Sequence, residues 1–494
     1  MKQMKLAFKG GYLTAYVPIV VFLIFCIYYF VIIKAFEMHA LAMGALIGLL
    51  IGALFVQKGV ADTYWEAVYK GAKDAIPVVM LLLVIGMFSE MIKASNLSGG
   101  FVYLATQMNI SGGLYTAMTF LFVSLIATAT GSSIGSLFTC FPIFYPAGVL
   151  LGSQPAVLAG AIVSGAVFGD NLAPISDTTI ISAGTQYYKH HKRTADVGGA
   201  VRTRLKYSLI SGAVAFLLFM LVGGGYQPGE GAAEMLVQFS DPRALLMLLP
   251  VALMLIVSVR TGDMYLAITL GLVAGSGIGL LSGVLIPADI LSVVDGSPSG
   301  FLVDGVGGMM STCILVLSVY GIMGVLEASG ALDRLTDGIY QSKLCDTVAG
   351  TEVAMMLGII LTSIIFGGVT SASMTTFGKV QNELGQRAGL HPYRRANLLD
   401  GFANSLGVAV PFLSVFIFLG SQLTQGYDFV SAVSVVGVSK YIFHCYGLFA
   451  VFFASILTGW GRKFEGPKGE ALTQQEYEAY MGDVKAREQL EVVK

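Results

Sequence analysis

The segment Gly169-Asp170-Asn171-Leu172-Ala173-Pro174-Ile175-Ser176-Asp177-Thr178-Thr179 lies inside an apolar stretch that runs from about residue 157 to 186. Pro174 has no backbone N–H to donate and Gly169 loosens the turn before it, so the sequence predicts that this helix is broken. The break frees backbone carbonyl oxygens beside two carboxylates, and such an all-oxygen environment suits Na⁺ or H⁺. We therefore expect a cation site here, with Na⁺ held by Asp170 and Asp177 and further contacts from Asn171, Ser176 and Thr178.

The composition places this segment in a membrane. Of 494 residues, 55% are hydrophobic and only 12% are charged, whereas soluble globular proteins carry roughly 25% charged residues. A soluble enzyme and a disordered scaffold are therefore excluded. The 29 Lys and Arg residues nearly balance the 30 Asp and Glu residues, so we expect membrane lipid, and no nucleic acid, as a partner.

The two carboxylates have no basic residue near them in the sequence. Asp170 and Asp177 are the only charged residues between Lys93 and Lys189. A carboxylate in the bilayer interior costs about 2.5–3.5 kcal/mol on insertion scales. The partners that could offset this cost are a bound cation, a proton, or a basic residue from the other half of the chain. An alternative for Asp177 is that it caps the N-terminus of the second half-helix.

Apolar runs of suitable length predict ten membrane-spanning helices. Two further apolar intervals, about 113–148 and 352–379, are each interrupted near the middle by small polar residues. Each arm is expected to be too short to span, so both intervals are predicted to be re-entrant hairpins with tips at mid-membrane. Backbone at that depth needs protein or water as a hydrogen-bonding partner, so a pocket is expected there. The predicted substrate-binding residues at the tips are Thr130, Gly131, Ser132, Ser133, Thr370, Ser371 and Ser373.

The distribution of Lys and Arg indicates two repeats of opposite orientation. Residues 94–188 contain no Lys or Arg, whereas basic residues cluster at 189–206 and again directly after the second hairpin. Basic loops stay on the cytoplasmic side, so the two hairpins are predicted to open to opposite sides. We predict an all-α polytopic membrane protein with two inverted-topology repeats, 1–240 and 241–460, each of about five spans plus one hairpin.

The second repeat contains a second predicted broken helix at about 396–422, where Pro411 interrupts the apolar run. Asn404 and Ser405 are its predicted uncharged site residues. Both termini are expected on the cytoplasmic side of a bacterial-type plasma (inner) membrane, because basic residues flank both ends of the membrane portion. Residues 461–494 are predicted to be a solvated cytoplasmic tail.

Basic residues are expected at the edges of the bundle. The cluster that includes Arg204 is assigned to a cytoplasmic loop. Asp400 is placed near the cytoplasmic entrance, where one interpretation is that it offsets Arg394 and Arg395. Neither repeat is therefore expected to contain Lys or Arg in its core.

Other classes of function are not favoured. The five Cys show no C-x-x-C spacing, and the His residues have no Cys or carboxylate partner at ligand spacing. No nucleophile–His–acid set and no phosphate-binding glycine loop is visible, so neither enzymatic activity nor a cofactor is expected. An ion channel is a weaker alternative, because hairpins that open to opposite faces are a poor basis for a continuous pore.

Two motifs resemble the NhaC-type sodium/proton antiporter family of the ion transporter superfamily. They are Ala129-Thr130-Gly131-Ser132-Ser133-Ile134-Gly135 and the segment from Gly169 to Thr179, and the resemblance extends over about residues 10–460. The second motif is similar to the family signature G-D-x-x-(S/A)-P-x-S-D-T-T. Asn171 and Ala173 differ from the commoner family residues, which leaves the substrate open.

The resemblance implies a dimeric secondary transporter that exchanges Na⁺ for H⁺ at Asp170 and Asp177 by alternating access. Relatives of the family also include malate/lactate exchangers and sodium-coupled amino-acid carriers. A second hypothesis therefore keeps the Na⁺ site and adds a small organic solute, an amino acid or a hydroxy or dicarboxylic acid, between the hairpin tips. Half-helix N-termini and hydroxyl groups there are suited to a carboxylate.

Overall fold

The structure is a computed structural model that describes residues 6–33, 38–110, 112–189, 193–227, 237–261, 263–331, 334, 338, 343–427, 429–430 and 432–482. This part of the chain is predominantly helical, with two short antiparallel strand pairs. The all-α prediction is therefore confirmed. Residues 483–494 of the predicted tail lie outside the described residues.

The first half of the described chain contains nine α-helices. They are α1 (Val17–Ile27), α2 (Met38–Leu54), α3 (Ala61–Ala94), α4 (Leu97–Gln107), α5 (Gly112–Thr130), α6 (Ser133–Leu150), α7 (Pro155–Leu172), α8 (Asp177–Gly184) and α9 (Val197–Val222). A 3-10 segment at Tyr12–Tyr16 precedes α1, and a π-helical segment at Tyr28–Ile33 follows it.

The second half begins with a 3-10 segment at Pro242–Met247 and continues with helices and two strand pairs. The helices are α10 (Leu248–Thr261), α11 (Met264–Ser282), α12 (Pro287–Ile290), α13 (Phe301–Ala328), α14 (Val348–Ile365), α15 (Thr370–Arg387), α16 (Pro392–Ala403), α17 (Leu406–Ala409), α18 (Val415–Gln422), α19 (Val435–Lys440) and α20 (Phe443–Thr458). The strands are β1 (Ser292–Val294), β2 (Ser297–Ser299), β3 (Phe464–Glu465) and β4 (Ala471–Leu472). A 3-10 turn at Lys343–Asp346 leads into α14.

Eight of the described helices are long and apolar enough to cross a membrane, namely α3, α5, α6, α7, α9, α11, α13 and α14. Shorter apolar helical stretches lie at Tyr12–Ile27, His39–Leu54, Pro242–Ser258 and Phe443–Thr458. These helices confirm the prediction of a polytopic membrane protein. The long and short helices together differ from the ten predicted spans in two ways. They include three arms of the predicted hairpins, and they omit the second broken helix.

The arms of both predicted hairpins are longer than expected. Helices α5, α6, α14 and α15 have 18 or 19 residues each. Eighteen residues extend about 27 Å along a helix axis, which is close to the roughly 30 Å of a bilayer's hydrocarbon core. The expectation that each arm is too short to span is therefore wrong for α5, α6 and α14, which are also apolar enough to cross a membrane. Helix α15 reaches a similar length only by continuing past the apolar run through polar residues to Arg387.

The helix breaks predicted from proline are present. Helices α7 and α8 end and begin on either side of Pro174, and α17 and α18 lie on either side of Pro411. The Oγ of Ser176 accepts a hydrogen bond from the N–H of Thr178 at 3.2 Å and so caps α8. The chain between α7 and α8 therefore has non-helical backbone inside the bundle.

Helices α3 and α13 pack against each other along their length. Their crossing depends on small residues, because a Cβ at Gly86 would lie 2.5 Å from the carbonyl oxygen of Gly305. Small residues at such crossings allow helix backbones to approach closely in membranes, where no hydrophobic force drives association. This pair supports α6, which also packs on α3 and carries the tip of the first hairpin.

Residues 461–472 are docked on the bundle through a largely buried stretch at 461–466, unlike the predicted solvated tail, whereas most of residues 473–482 are exposed. Strand β3 pairs with β4, and Phe464 is only 3% exposed. The ring of Tyr477 stacks on Phe464 with ring centroids 4.6 Å apart. Arg462 Nη2 lies 2.6 Å from Glu352 Oε2, so the segment is tied to the start of α14 by charge as well as by apolar contact.

The interpretation that Asp400 offsets Arg394 and Arg395 is wrong. Arg394 Nε lies 2.7 Å from Glu352 Oε1, and Arg395 Nη2 lies 3.5 Å from Glu465 Oε2. All four of these side chains are buried. The two guanidinium groups are buried because each has its own carboxylate, and Glu352 serves both Arg394 and Arg462.

His391 connects the docked segment to α16. Burial lowers the pKa of His391 to about 4, so its ring is neutral at pH 7. The Nδ1 atom accepts from the N–H of Tyr393 at 3.2 Å, which leaves Nε2–H to donate to the carbonyl oxygen of Gly469 at 3.2 Å. One imidazole thus caps α16 and holds the turn between β3 and β4.

We expect Glu352→Gln to destabilise the folded protein by about 3–5 kcal/mol, because it leaves two buried guanidinium groups without a full charge partner. The measurement is the melting temperature of the purified protein in detergent. The matched control is Glu327→Gln, which breaks an exposed pair with Lys70 and should leave the melting temperature within experimental error. Equal melting temperatures for both variants would contradict this account of the Glu352 cluster.

Candidate ion-binding site

Asp170 lies in the last turn of α7, and its side chain points between the two hairpin-like helix pairs. The residue is 4% exposed. The Oγ of Ser133, at the start of α6, donates to Asp170 Oδ2 at 3.2 Å, and the side chain of Ser176 contacts the same carboxylate. The first turn of α6 and the cap of α8 therefore supply hydroxyl groups to one buried acid.

Asp170 differs from the other buried acids in its charge environment. Among the described residues four carboxylates are buried: Asp170, Glu352, Asp400 and Glu465. Each of the other three forms an ion pair with an arginine. No ion pair formed by the described residues includes Asp170 or Asp177. A buried charge without a partner is costly, so Asp170 is the acid that a cation or a proton would neutralise.

A cavity of about 110 Å³ opens beside this carboxylate. It brings together the tips of both predicted hairpins and the break between α7 and α8. Its volume is enough for a few water molecules or a partly hydrated ion. The described lining includes no Lys, Arg or His and consists of Val78, Leu81, Gly131, Ser132, Ser133, Ile134, Asp170, Ser176, Asp177, Thr178, Val369, Thr370, Ser371, Val415 and Phe416.

Asp177 lines the same cavity but is exposed, in contrast to Asp170. It is the first residue of α8, where the helix dipole favours a negative charge, while the cap itself is Ser176. Asp177 is therefore not the cap of α8, but its place in the first turn is one that the helix dipole favours for an acid. Asp177 lies at the open side of the cavity, where a hydrated cation would first meet a carboxylate.

Five of the predicted site residues do not line the cavity. Thr130 Oγ1 donates to the carbonyl oxygen of Ile126 at 3.0 Å, Ser373 Oγ donates to that of Thr370 at 2.8 Å, and Ser405 Oγ donates to that of Phe402 at 2.7 Å. These three side chains thus stabilise local backbone. Asn171 and Asn404 both donate to Asp400 Oδ1, at 2.6 Å and 2.8 Å.

The structure therefore reveals a second buried polar cluster, around Asp400 and Arg204. Both side chains are fully buried and form an ion pair. The expectation that neither core contains a basic residue is wrong, because Arg204 lies inside α9 and not in a loop. A signal for this was present in the sequence, since Asn397, Asp400 and Asn404 recur at the spacing of one helix face, as do Arg204 and Ser208.

Gly131 allows the first hairpin tip to approach the helix break. Its φ of +64° is in the left-handed region that favours glycine. A Cβ at this position would lie 2.7 Å from Ile175 Cγ1 and 3.1 Å from the carbonyl carbon of Ile175. The turn between α5 and α6 therefore packs directly on the non-helical segment that follows Asp170.

Many apolar helices around a cavity whose buried carboxylate has no ion-pair partner in the described part of the chain are typical of α-helical membrane transport proteins. Within this class, residues 6–224 match the model of the Na⁺/H⁺ antiporter family. The matched part of the chain contains Asp170, Asp177 and the first hairpin. The resemblance predicted from the two sequence motifs is thereby confirmed.

Similar proteins match a larger part of the chain than the family model does. The malate-2H⁺/Na⁺-lactate antiporter of Bacillus subtilis is 25% identical over 349 residues, which cover 67% of this chain and 71% of that protein. An uncharacterized Na⁺/H⁺ antiporter of Haemophilus influenzae is 24% identical over 402 residues, or 72% of this chain and 79% of that protein. The Na⁺/H⁺ antiporter NhaC of Alkalihalophilus pseudofirmus is 26% identical over 293 residues, or 56% and 61%.

We expect Gly131→Ala to lower Na⁺-dependent proton movement in proteoliposomes by about tenfold or more, an effect typical of displacing groups that support an ion ligand. The added methyl group strains a left-handed residue and collides with Ile175 beside the cavity. The control is Gly184→Ala, because nothing lies within 4 Å of a Cβ built at Gly184. Full activity of folded Gly131→Ala protein would contradict this role for the tip.

Proposed function

We propose that this protein is a sodium/proton antiporter in which Na⁺ and H⁺ compete for the carboxylate of Asp170. The observation that carries the proposal is that Asp170 alone among the buried acids of the described chain has no arginine partner. Its charge must be neutralised by something that is not part of the protein. The family match over residues 6–224 supports Na⁺ and H⁺ as the two species.

Competition at one carboxylate is sufficient for exchange. With neither ion bound, the site carries a negative charge that is costly to move through a low-dielectric barrier. With either Na⁺ or H⁺ bound, this charge is neutralised and the site can change its exposure from one side of the membrane to the other. Uptake of one ion therefore requires release of the other, and the gradient of one drives transport of the other.

The groups around Asp170 suit a small hard cation. Na⁺ would be held by Asp170 with the Oγ atoms of Ser133 and Ser176 and with carbonyl oxygens freed at the break. Ser176 Oγ lies 2.9 Å from Thr178 Oγ1, so Thr178 orients the Ser176 hydroxyl. Asp177, at the open side of the cavity, attracts cations and binds them while they are still partly hydrated.

The order of helices supports an arrangement as two inverted repeats. A long helix, a helix pair and a broken helix follow one another in each half: α3, α5–α6 and α7–α8, then α13, α14–α15 and α16–α18. The tips of the two helix pairs meet at one cavity, which supports helix pairs that enter the bundle from opposite sides. From the basic flanks we infer that both termini are cytoplasmic. We also propose that the protein lies in the inner membrane and assembles as a homodimer.

A second candidate function is exchange that includes a small organic acid. The relative from Bacillus subtilis is described as a malate-2H⁺/Na⁺-lactate antiporter. The N-terminal residues Ser133 of α6, Thr178 of α8 and Thr370 of α15 line the cavity, so backbone N–H groups are available to an anion there. The described lining offers no basic residue to a dianion, and this favours cation exchange as the primary function.

We expect Asp170→Asn to abolish Na⁺-dependent proton movement, because an amide can neither release a proton nor neutralise Na⁺. The assay follows a pH-sensitive dye in proteoliposomes after addition of Na⁺. Asp241→Asn is the matched control, since Asp241 pairs with Arg243 at the surface and Asn also caps helices; it should behave as the wild type. Exchange by Asp170→Asn protein at the wild-type rate would exclude Asp170 as the shared site.

We expect Na⁺ or Li⁺ alone to collapse a preset pH gradient in vesicles that contain the wild-type protein. Potassium salt is the control cation, and malate, lactate and amino acids are then added separately with Na⁺ held constant. Collapse by Na⁺ without any organic solute supports cation exchange. A gradient that stays intact until one of the organic solutes is added would instead establish the second candidate function.

A further inference from the structure

The strongest feature outside the cavity is the buried ion pair between Asp400 of α16 and Arg204 of α9. Both side chains are fully buried, so the pair is screened little by solvent. Asp400 is saturated with donors, because Asn171 and Asn404 donate to Oδ1 and Ser182 donates to Oδ2 at 3.0 Å. An acid satisfied in this way has no position left for a transported cation.

The pair is bonded to both sides of the helix break that carries Asp170. On the N-terminal side, Asn171 at the end of α7 donates to Asp400 Oδ1 at 2.6 Å. On the C-terminal side, Ser182 of α8 donates to Asp400, and Arg204 Nη2 donates to Thr179 Oγ1 at 2.8 Å. The ion pair therefore connects two half-helices that the broken backbone itself leaves without continuous helical hydrogen bonds.

Asn171 transmits this constraint to the cavity. It follows Asp170 directly in the last turn of α7, where consecutive side chains point about 100° apart. Both ends of the Asn171 amide are used, since Nδ2 donates to Asp400 and Oδ1 accepts from Ser208 Oγ at 2.6 Å. A fixed Asn171 fixes the rotation of this helical turn, and hence the direction in which Asp170 faces the cavity.

We propose that Asp400, Arg204 and Asn171 are positioning residues for ion exchange, which hold α7 and α8 around their break so that the Asp170 carboxylate meets Ser133 and Ser176. This proposal rests on the proposed function, because it assumes that Asp170 binds the exchanged ion. It assigns Asn171 to the support of the site and not to direct ion contact. It also assigns Asp400 a permanent partner within the protein.

The experiment compares the Na⁺ concentration that gives half-maximal proton movement with the maximal rate, in proteoliposomes of known protein content. The variants are Asn171→Ala, which removes the link but keeps the ion pair, and the double variant Asp400→Asn with Arg204→Gln, which removes both charges together. We expect the half-maximal Na⁺ concentration to rise about 10-fold to 100-fold in each, as when groups that orient ion ligands are lost. Folded protein is confirmed by size-exclusion chromatography and melting temperature.

Glu352→Gln is the matched control, because it disturbs an equally buried ion pair that makes no contact with the α7–α8 break in the described structure. It should lower the melting temperature without raising the half-maximal Na⁺ concentration. Unchanged Na⁺ dependence in Asn171→Ala and in the double variant would overturn the proposal, since the cluster would then be structural only. Complete loss of the Na⁺ response in a folded double variant would also overturn it, because Asp400 would then be a direct ligand.

Na⁺-dependent proton movement by the wild-type protein distinguishes failure of the positioning role from failure of the proposed function. If the wild type shows no Na⁺-dependent proton movement, the proposed function itself fails. If the wild type responds to Na⁺ and Asp170→Asn does not, the proposed function stands, and the two variants decide the positioning role alone.

Discussion

The constraint on which this structure depends is that one buried carboxylate, Asp170, has no basic partner among the residues that the structure describes. Three other buried acids are neutralised within the protein by arginine, and two of these pairs lie where the docked C-terminal segment meets the helices. Asp170 lies instead beside hydroxyl groups and a small cavity. In the proposed exchange, bound Na⁺ or H⁺ neutralises this carboxylate.

In the proposed mechanism, two consecutive residues have different roles: Asp170 binds the exchanged ion, and Asn171 holds the helix in place. Asp170 faces the cavity, and Asn171 faces a permanent ion pair on α9 and α16. Because both residues belong to one helical turn, the bonds that fix Asn171 also fix the position of Asp170. A broken helix alone would leave its two halves free to shift, whereas bonds from Asn171, Ser182 and Thr179 to one ion pair hold both halves.

Much of this organisation could be predicted from local sequence. Proline, glycine and hydroxyl residues within apolar runs predicted both helix breaks and the meeting of the two tips, because these residues act on their own backbone. The partners of Asp400 could not be predicted in the same way, since Arg204 lies 196 positions away and pairing over such a separation depends on how helices pack. Counting basic residues by loop assigned Arg204 to the surface, although the face it shares with Ser208 was visible. Likewise, polarity alone suggested a solvated tail, and only tertiary contacts of Arg462 and Glu465 show otherwise.

The docking of residues 461–472 has a consequence for biosynthesis. Helices α14 and α16 are synthesised before this segment leaves the ribosome. Arg395 obtains its carboxylate from Glu465, and Glu352 its second guanidinium from Arg462, only after the segment has been made. The nascent protein therefore passes through a stage in which charges destined for burial are still incompletely matched. A chain interrupted shortly after α20 would leave Arg395 without the carboxylate of Glu465 and Glu352 without the guanidinium of Arg462.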